Sequence, residues 1–237
     1  MSTISRRQRR HALRLAVPLL SGPAQRAGLR RSMSRQYDAL EAAVPRLRAP
    51  MSRMTLRIAV DSLALYRALP TALPTALPTG LPTGLPTALP TALSRAERLA
   101  LVERFVTAWM RAQFDSPLVR WVYRHRRAHL LLRRWWFWSA NLLDEPAGWR
   151  FRYLAPAPGR FYGVDVTRCG AVAFLAAQGA PELAPLMCAG DLAISGYLPP
   201  GVRFARTRTL AGGAPLCDFR YVMTAGEKPS ESRARAC

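Results

Sequence analysis

Hydrophobic positions along the chain change period near its middle. Within residues 36–68, Tyr37, Leu40, Ala43 and Val44 recur at helical spacing. A denser run of Met54, Leu56, Ile58, Val60, Leu63, Leu65 and Tyr66 follows, and the pattern predicts two helices. Ser94 with Glu97 three residues on is a capping-box signature, opening a helix through about Arg111. Pro117 opens another, through about Trp138. Leu118, Val122, His125, His129, Leu132 and Trp136 share one of its faces, and Arg120, Arg124, Arg127 and Arg134 another. From Gly148 the period becomes two. Residues 149–154 alternate aromatics with Arg150 and Arg152, and residues 161–166 read as the partner strand across a Pro-Ala-Pro-Gly turn. Residues 169–178 form a short apolar helix closed by Gly179, and Pro181 opens the next, through about Tyr197. Residues 202–210 and 216–223 read as a hairpin around Gly212-Gly213-Ala214-Pro215. The expected fold is α+β: a helical N-terminal half followed by a β-β-α-α-β-β antiparallel sheet unit.

One segment obeys neither period. Residues 69–92 are six tandem copies of Leu-Pro-Thr-Ala/Gly. Proline at every fourth position fixes φ and removes donors, so neither a helix nor a central strand can run through it. The tract has no charge, yet a membrane span with a proline in each repeat would leave freed backbone groups facing lipid. It reads as an extended loop, at residues 69–93, inserted in a single domain over 36–224, with residues 225–237 as a disordered tail.

Half of the chain is hydrophobic and 21% is charged, which excludes collagen-like and wholly disordered classes. The net charge is +21, and Lys228 is the only lysine among 35 basic residues. Residues 1–50 hold 11 arginines against Asp38 and Glu41. Arg6-Arg7-Gln8-Arg9-Arg10 precedes an apolar run as in a signal peptide, but Arg14 interrupts that run and no small-residue cleavage site follows. Residues 1–35 are therefore expected to be a basic disordered arm that touches anions or nucleic acid without sequence preference. Cys169, Cys188, Cys217 and Cys237 are too few for a disulfide scaffold in a chain of this length, which points to a reducing, cytoplasmic compartment.

The second half also gathers candidate chemistry. Cys188 and Asp191 lie three apart on one predicted helix and share a face. Cys217 and Asp218 open the last strand and point to opposite sides of it. Cys169 begins the preceding helix, where unpaired amides favour a thiolate. These residues allow three readings. Cys169, Cys188, Cys217 and Asp191 can ligate zinc or iron. A thiolate can act as nucleophile with an aspartate as acid/base, making Cys188, Asp191, Cys217 and Asp218 catalytic and no metal necessary. Or the cysteines are small core hydrophobes. His125 and His129 have the i, i+4 spacing of helical metal ligands but no third ligand beside them, so they read as core histidines.

Three blocks carry a resemblance. They are Phe161-Tyr162-Gly163-Val164-Asp165-Val166-Thr167-Arg168-Cys169, then residues 179–191 with Met187-Cys188-Ala189-Gly190-Asp191, then residues 206–220 closing on Gly212-Gly213-Ala214-Pro215-Leu216-Cys217-Asp218-Phe219-Arg220. In order and spacing they resemble the L-2-amino-thiazoline-4-carboxylic acid hydrolase family. Residues 63–69 are similar to that family's upstream helix, and the resemblance covers roughly residues 36–224. It implies ring opening of a cyclic isothiourea to a carbamoyl-cysteine. The substrate's C2, bonded to two nitrogens and a sulfur, is electrophilic once protonated, and its carboxylate can be held by Arg208 or Arg220 with Cys169 nearby. The other class compatible with the sequence is a non-catalytic module that senses a small molecule or metal, its basic arm touching nucleic acid or a partner.

Overall fold

The computed structural model describes residues 3–20, 23–70 and 92–224. Six helices come first: α1 (Arg6–Ala16), α2 (Pro23–Leu40), α3 (Pro50–Ala68), α4 (Arg95–Ala112), α5 (Pro117–Arg124) and α6 (Arg126–Leu143). They are followed by β1 (Arg150–Leu154), β2 (Arg160–Arg168), α7 (Gly170–Ala177), α8 (Ala184–Ala193), β3 (Val202–Ala205) and β4 (Cys217–Met223). The fold is α+β, as the change of period predicts. The sheet is antiparallel throughout, in the order β1-β2-β4-β3. Among the described residues no helix is long and apolar enough to cross a membrane.

The helical half is organised around one buried carboxylate. Asp61, in the middle of α3, is fully buried. Its Oδ1 accepts from Gln8 Nε2 of α1 (2.9 Å) and from the Tyr37 hydroxyl of α2 (3.0 Å), and its Oδ2 from Trp109 Nε1 of α4 (3.2 Å). Four helices thereby share one polar anchor inside a core of Tyr37, Leu63, Leu65 and Phe105. Burial pushes Asp61 up to about 7, although all three donors favour its ionised form. The start of α3 is tied to the sheet side. Glu145, before β1, accepts from the backbone amides of Arg48 and Ala49, and Ser52 Oγ accepts from Trp149 N. The Ser94–Glu97 capping box of α4 forms in both directions.

Three expectations need correction. The N-terminal arm is not disordered where it is described: Ile4 ahead of α1, Ala12 and Ala16 of α1, and Leu29 and Met33 of α2 pack into the helical core. Alanines and long apolar side chains at helical spacing did this beneath a surface of arginines. The helix from Pro117 is two helices, because His125 is extended (φ −90°, ψ 111°) and its Nδ1 meets Trp121 O at 2.7 Å. That break separates His125, which is exposed, from His129, which is buried. Strand β3 stops at Ala205 instead of running to 210, because Asp218 draws the following loop onto its carboxylate: Thr207 N at 2.9 Å and Arg208 N at 2.6 Å. Residues 71–91 of the repeat tract and residues 225–237 lie outside the described residues. The tract's described ends meet, with Leu93 N donating to Pro70 O at 3.1 Å.

An acid whose pKa is raised on folding stabilises the fold below its unfolded value and loses that contribution as pH rises through the folded value. For Asp61 the window runs from about 4 to about 7. Asp61→Asn keeps one acceptor oxygen for three donors. It is expected to destabilise the protein by about 1–3 kcal/mol at pH 5, and to remove part of the wild type's fall in stability across that window. Denaturant unfolding of both proteins at several pH values measures this.

Candidate functional site

The inner face of the sheet does not close fully onto the helices. Register places Phe151 of β1, Tyr162, Val164 and Val166 of β2, Cys217, Phe219 and Tyr221 of β4, and Phe204 of β3 on that face. Between them and α3–α6 and α8 lies a cavity of ≈ 540 Å³, lined by Met51, Met54, Trp109, Phe114, Trp136 and Phe137 among others. Volume and apolar lining match a small-molecule site.

Cys188, Asp191, Cys217 and Cys169 all line this cavity. Cys188 and Asp191 face it from α8, whose Gly190 packs so closely on α4 that a Cβ would stand 2.9 Å from Val106 Cγ1. Gly213, by contrast, gives its turn a positive φ of 84° and has nothing within 4 Å of a Cβ, so it does not bring the hairpin closer. Arg206 fixes Asp191: its Nη1 donates to Asp191 Oδ2 at 2.9 Å and to Cys188 O at 3.0 Å. Desolvation still lifts Asp191 to about 6, opposed by Arg206 and Arg133. The thiols are equally shaped by burial. Desolvation pushes Cys169 up to about 11 and Cys188 up to about 12, and raises Cys217, whose Sγ accepts from Leu210 N at 3.2 Å. The amides at the start of α7 lower the Cys169 value less than burial raises it, so the thiolate expected there does not form at neutral pH.

Several expected site residues lie elsewhere. Asp218 points away from the cavity. It is a loop clamp, held ionised below its ordinary value against burial by Thr207 and the amides of Thr207 and Arg208. Arg220 lies on the outer face, paired with Asp165 at 2.7 Å, which Arg152 also holds. Arg208 is more than half exposed, 3.9 Å from Asp218. Neither arginine reaches the cavity. Among the described residues no three His, Cys, Asp or Glu side chains are grouped to hold a metal ion, and the carboxylate of the expected Cys169, Cys188, Cys217 and Asp191 set is paired with Arg206.

Arg133 is the residue the sequence reading passed over. It sits on the inner face of α6, is only 5% exposed and lines the cavity. Its guanidinium lies over the rings of Tyr123 (5.1 Å) and Trp136 (5.7 Å). Its Nε has no hydrogen-bond partner, and Asp191, which feels its charge, is ion-paired with Arg206 instead. The signal was present: Arg133 is one helical turn beyond His129 and one before Phe137, on the apolar face. Beside it runs a buried polar chain. His129 Nε2 meets the Tyr162 hydroxyl at 2.8 Å, and Tyr162 stacks on Tyr221 (4.1 Å between centroids), which lines the cavity. Desolvation lowers His129 to about 3, so it is neutral.

A buried carboxylate, three thiols and a buried guanidinium thus line one apolar cavity in an α+β scaffold. A model of the L-2-amino-thiazoline-4-carboxylic acid hydrolase family matches residues 87–221, and the chain belongs to that family. The match spans α4 to β4 and thus every cavity residue named above except those of α3. No curated protein and no solved structure matches the chain.

The protonation states make a direct expectation. With Cys237 replaced by serine, the native protein should react slowly with a thiol-selective alkylating reagent at pH 7 at Cys169, Cys188 and Cys217, and rapidly once unfolded. Stopped-flow or mass-spectrometric labelling reads this; rapid native labelling at Cys188 or Cys217 would mean a thiolate is present.

Proposed function

We propose that the protein hydrolyses a cyclic isothiourea or amidine bearing a carboxylate, of which 2-amino-thiazoline-4-carboxylate is the simplest case. The observation that carries this reading is Arg133, a buried guanidinium with an unsatisfied Nε beside Asp191 in an apolar cavity. The substrate carboxylate supplies the missing anion, and desolvation strengthens that pairing. This places the amidine carbon toward Asp191. Its carboxylate, held by Arg206, takes a proton from water as the water oxygen bonds to C2. The C2–S bond then breaks: the sulfur leaves with the proton Asp191 received, the second water proton ends on the nitrogen that was doubly bonded to C2, and C2 becomes a urea carbonyl. The product is a carbamoyl-cysteine. With thiol values near 11 and 12 at Cys169 and Cys188, water is the better nucleophile and the neutral thiols line the path of the leaving sulfur. A cavity of ≈ 540 Å³ is larger than the bare thiazoline requires, which favours substrates carrying an additional apolar group.

The test is turnover by the purified full chain of 2-amino-thiazoline-4-carboxylate and of ring-substituted analogues. The rate should rise with pH through about 6, where Asp191 ionises. Asp191→Asn is expected to lower kcat by roughly 10²–10⁴-fold. Arg133→Gln should chiefly raise KM, by about 10–100-fold for a lost charged hydrogen bond. Arg220→Gln and Arg208→Gln should change neither. Binding without turnover by the wild type would instead mark a sensing module, and full activity of Asp191→Asn would remove the mechanism.

A further inference from the structure

Helix α6 is inverted relative to an ordinary surface helix. Its buried face carries His129, Arg133, Phe137 and Ala140. Arg127, Leu131, Arg134, Trp135, Trp138 and Leu142 recur at i, i+4, i+7, i+8, i+11 and i+15, and all are exposed, forming one stripe about 100° wide. Leu131, Trp135, Trp138 and Leu142 are each between 50% and 70% exposed, as are Leu118 and Trp121 of α5. Single exposed leucines are ordinary on a soluble protein, but a row of Leu and Trp along three turns is a binding surface. The charge beside it has one sign: residues 117–143 contain six arginines, all exposed except Arg133, and no aspartate or glutamate.

We infer that α6, with α5 beside it, docks on an anionic lipid surface. A helix that carries Trp and Leu along its exposed stripe, with Arg at the same level, matches the headgroup–acyl boundary. Indoles sit at headgroup depth, leucines enter the acyl region, and the arginine stems reach back to phosphates. Charge complementarity decides the occupant. A second copy of the chain would bring the five exposed arginines of α5 and α6 against five with no acid between them. A nucleic acid would satisfy Arg127 and Arg134 but leave Leu131 and Leu142 in water. No described helix is long and apolar enough to cross a membrane, so docking is in plane. Leu118 both lines the cavity and is exposed, so the cavity reaches the surface at the edge of this face.

The experiment is co-flotation of the full chain with phosphatidylcholine vesicles, with and without phosphatidylserine, together with quenching of tryptophan fluorescence by brominated lipids. The basic surface elsewhere adds a purely electrostatic background, so binding is also read at about 1 M salt, where screening acts over about 3 Å. The wild type is expected to bind phosphatidylserine vesicles, to retain part of that binding in high salt, and to be quenched. The triple variant Leu131→Ser, Trp135→Ser, Trp138→Ser should bind about tenfold or more weakly in high salt while its melting temperature and circular dichroism stay unchanged. Arg127→Gln with Arg134→Gln should weaken binding at low salt only. Four results would overturn the inference: unquenched tryptophans, equal binding by the triple variant, conversion of a wild-type dimer to a monomer by that variant with no change on vesicles, or a variant effect confined to duplex DNA. Should the triple variant unfold, Leu142→Ser alone, at the end of the stripe, carries the same comparison with a smaller loss.

Discussion

Asp61 is the constraint on which the rest of the molecule is built. An isolated carboxylate in a helical core is costly, and this one is tolerated because α1, α2 and α4 each send one donor to it. Satisfying it fixes the relative position of four helices. One of those donors, the Trp109 indole, also lines the cavity, as do Met51, Met54 and Ile58 of the same helix as Asp61. The polar anchor of the helical half therefore sets one wall of the site. Glu145 and Ser52 then hold the start of α3 against the sheet side, which sets the opposite wall.

Within that frame the electrostatics divide cleanly between the two faces of the sheet. On the outer face every named carboxylate is neutralised: Asp165 by Arg152 and Arg220, Asp218 by its loop. On the inner face the balance is left open. Asp191 is paired with Arg206, whereas Arg133 lies over aromatic rings and feels Asp191 without an ion pair to it. Burying a cation without an anion costs stability, and such a cost is characteristic of a group kept for a ligand rather than for the fold. The same desolvation that raises Asp191 toward neutrality keeps the thiols protonated, and in the proposed reaction it makes the carboxylate rather than sulfur the proton-transfer group.

The element pattern was largely legible in the chain. Period-two alternation separated the two faces of β1, the Ser94–Glu97 box opened α4, and the three-residue spacing of Cys188 and Asp191 put both on the face of α8 that lines the cavity. The failures have physical causes. The break at His125 has no proline or glycine to announce it and rests on a backbone contact with Trp121. Charge counting hid α1, because its arginines are surface residues over buried alanines. Strand alternation puts Asp218, read as catalytic, and Arg220, read as substrate-binding, on one face of β4 but does not say that this face is the outer one. Arg133 was lost among many arginines, although its position between His129 and Phe137 set it apart. The repeat tract is a different case, because its residues 71–91 lie outside the described residues.

The central claim is that Arg133, and no arginine of the outer sheet face, receives the substrate's carboxylate, with the amidine carbon presented to Asp191. The most direct test is a crystal structure of the protein with a non-hydrolysable carboxylated cyclic amidine. The account predicts the ligand carboxylate within about 3 Å of the Arg133 guanidinium and the amidine carbon one water away from Asp191. A ligand bound at Arg208 or Arg220, with Arg133 still unpaired in an empty cavity, would contradict it.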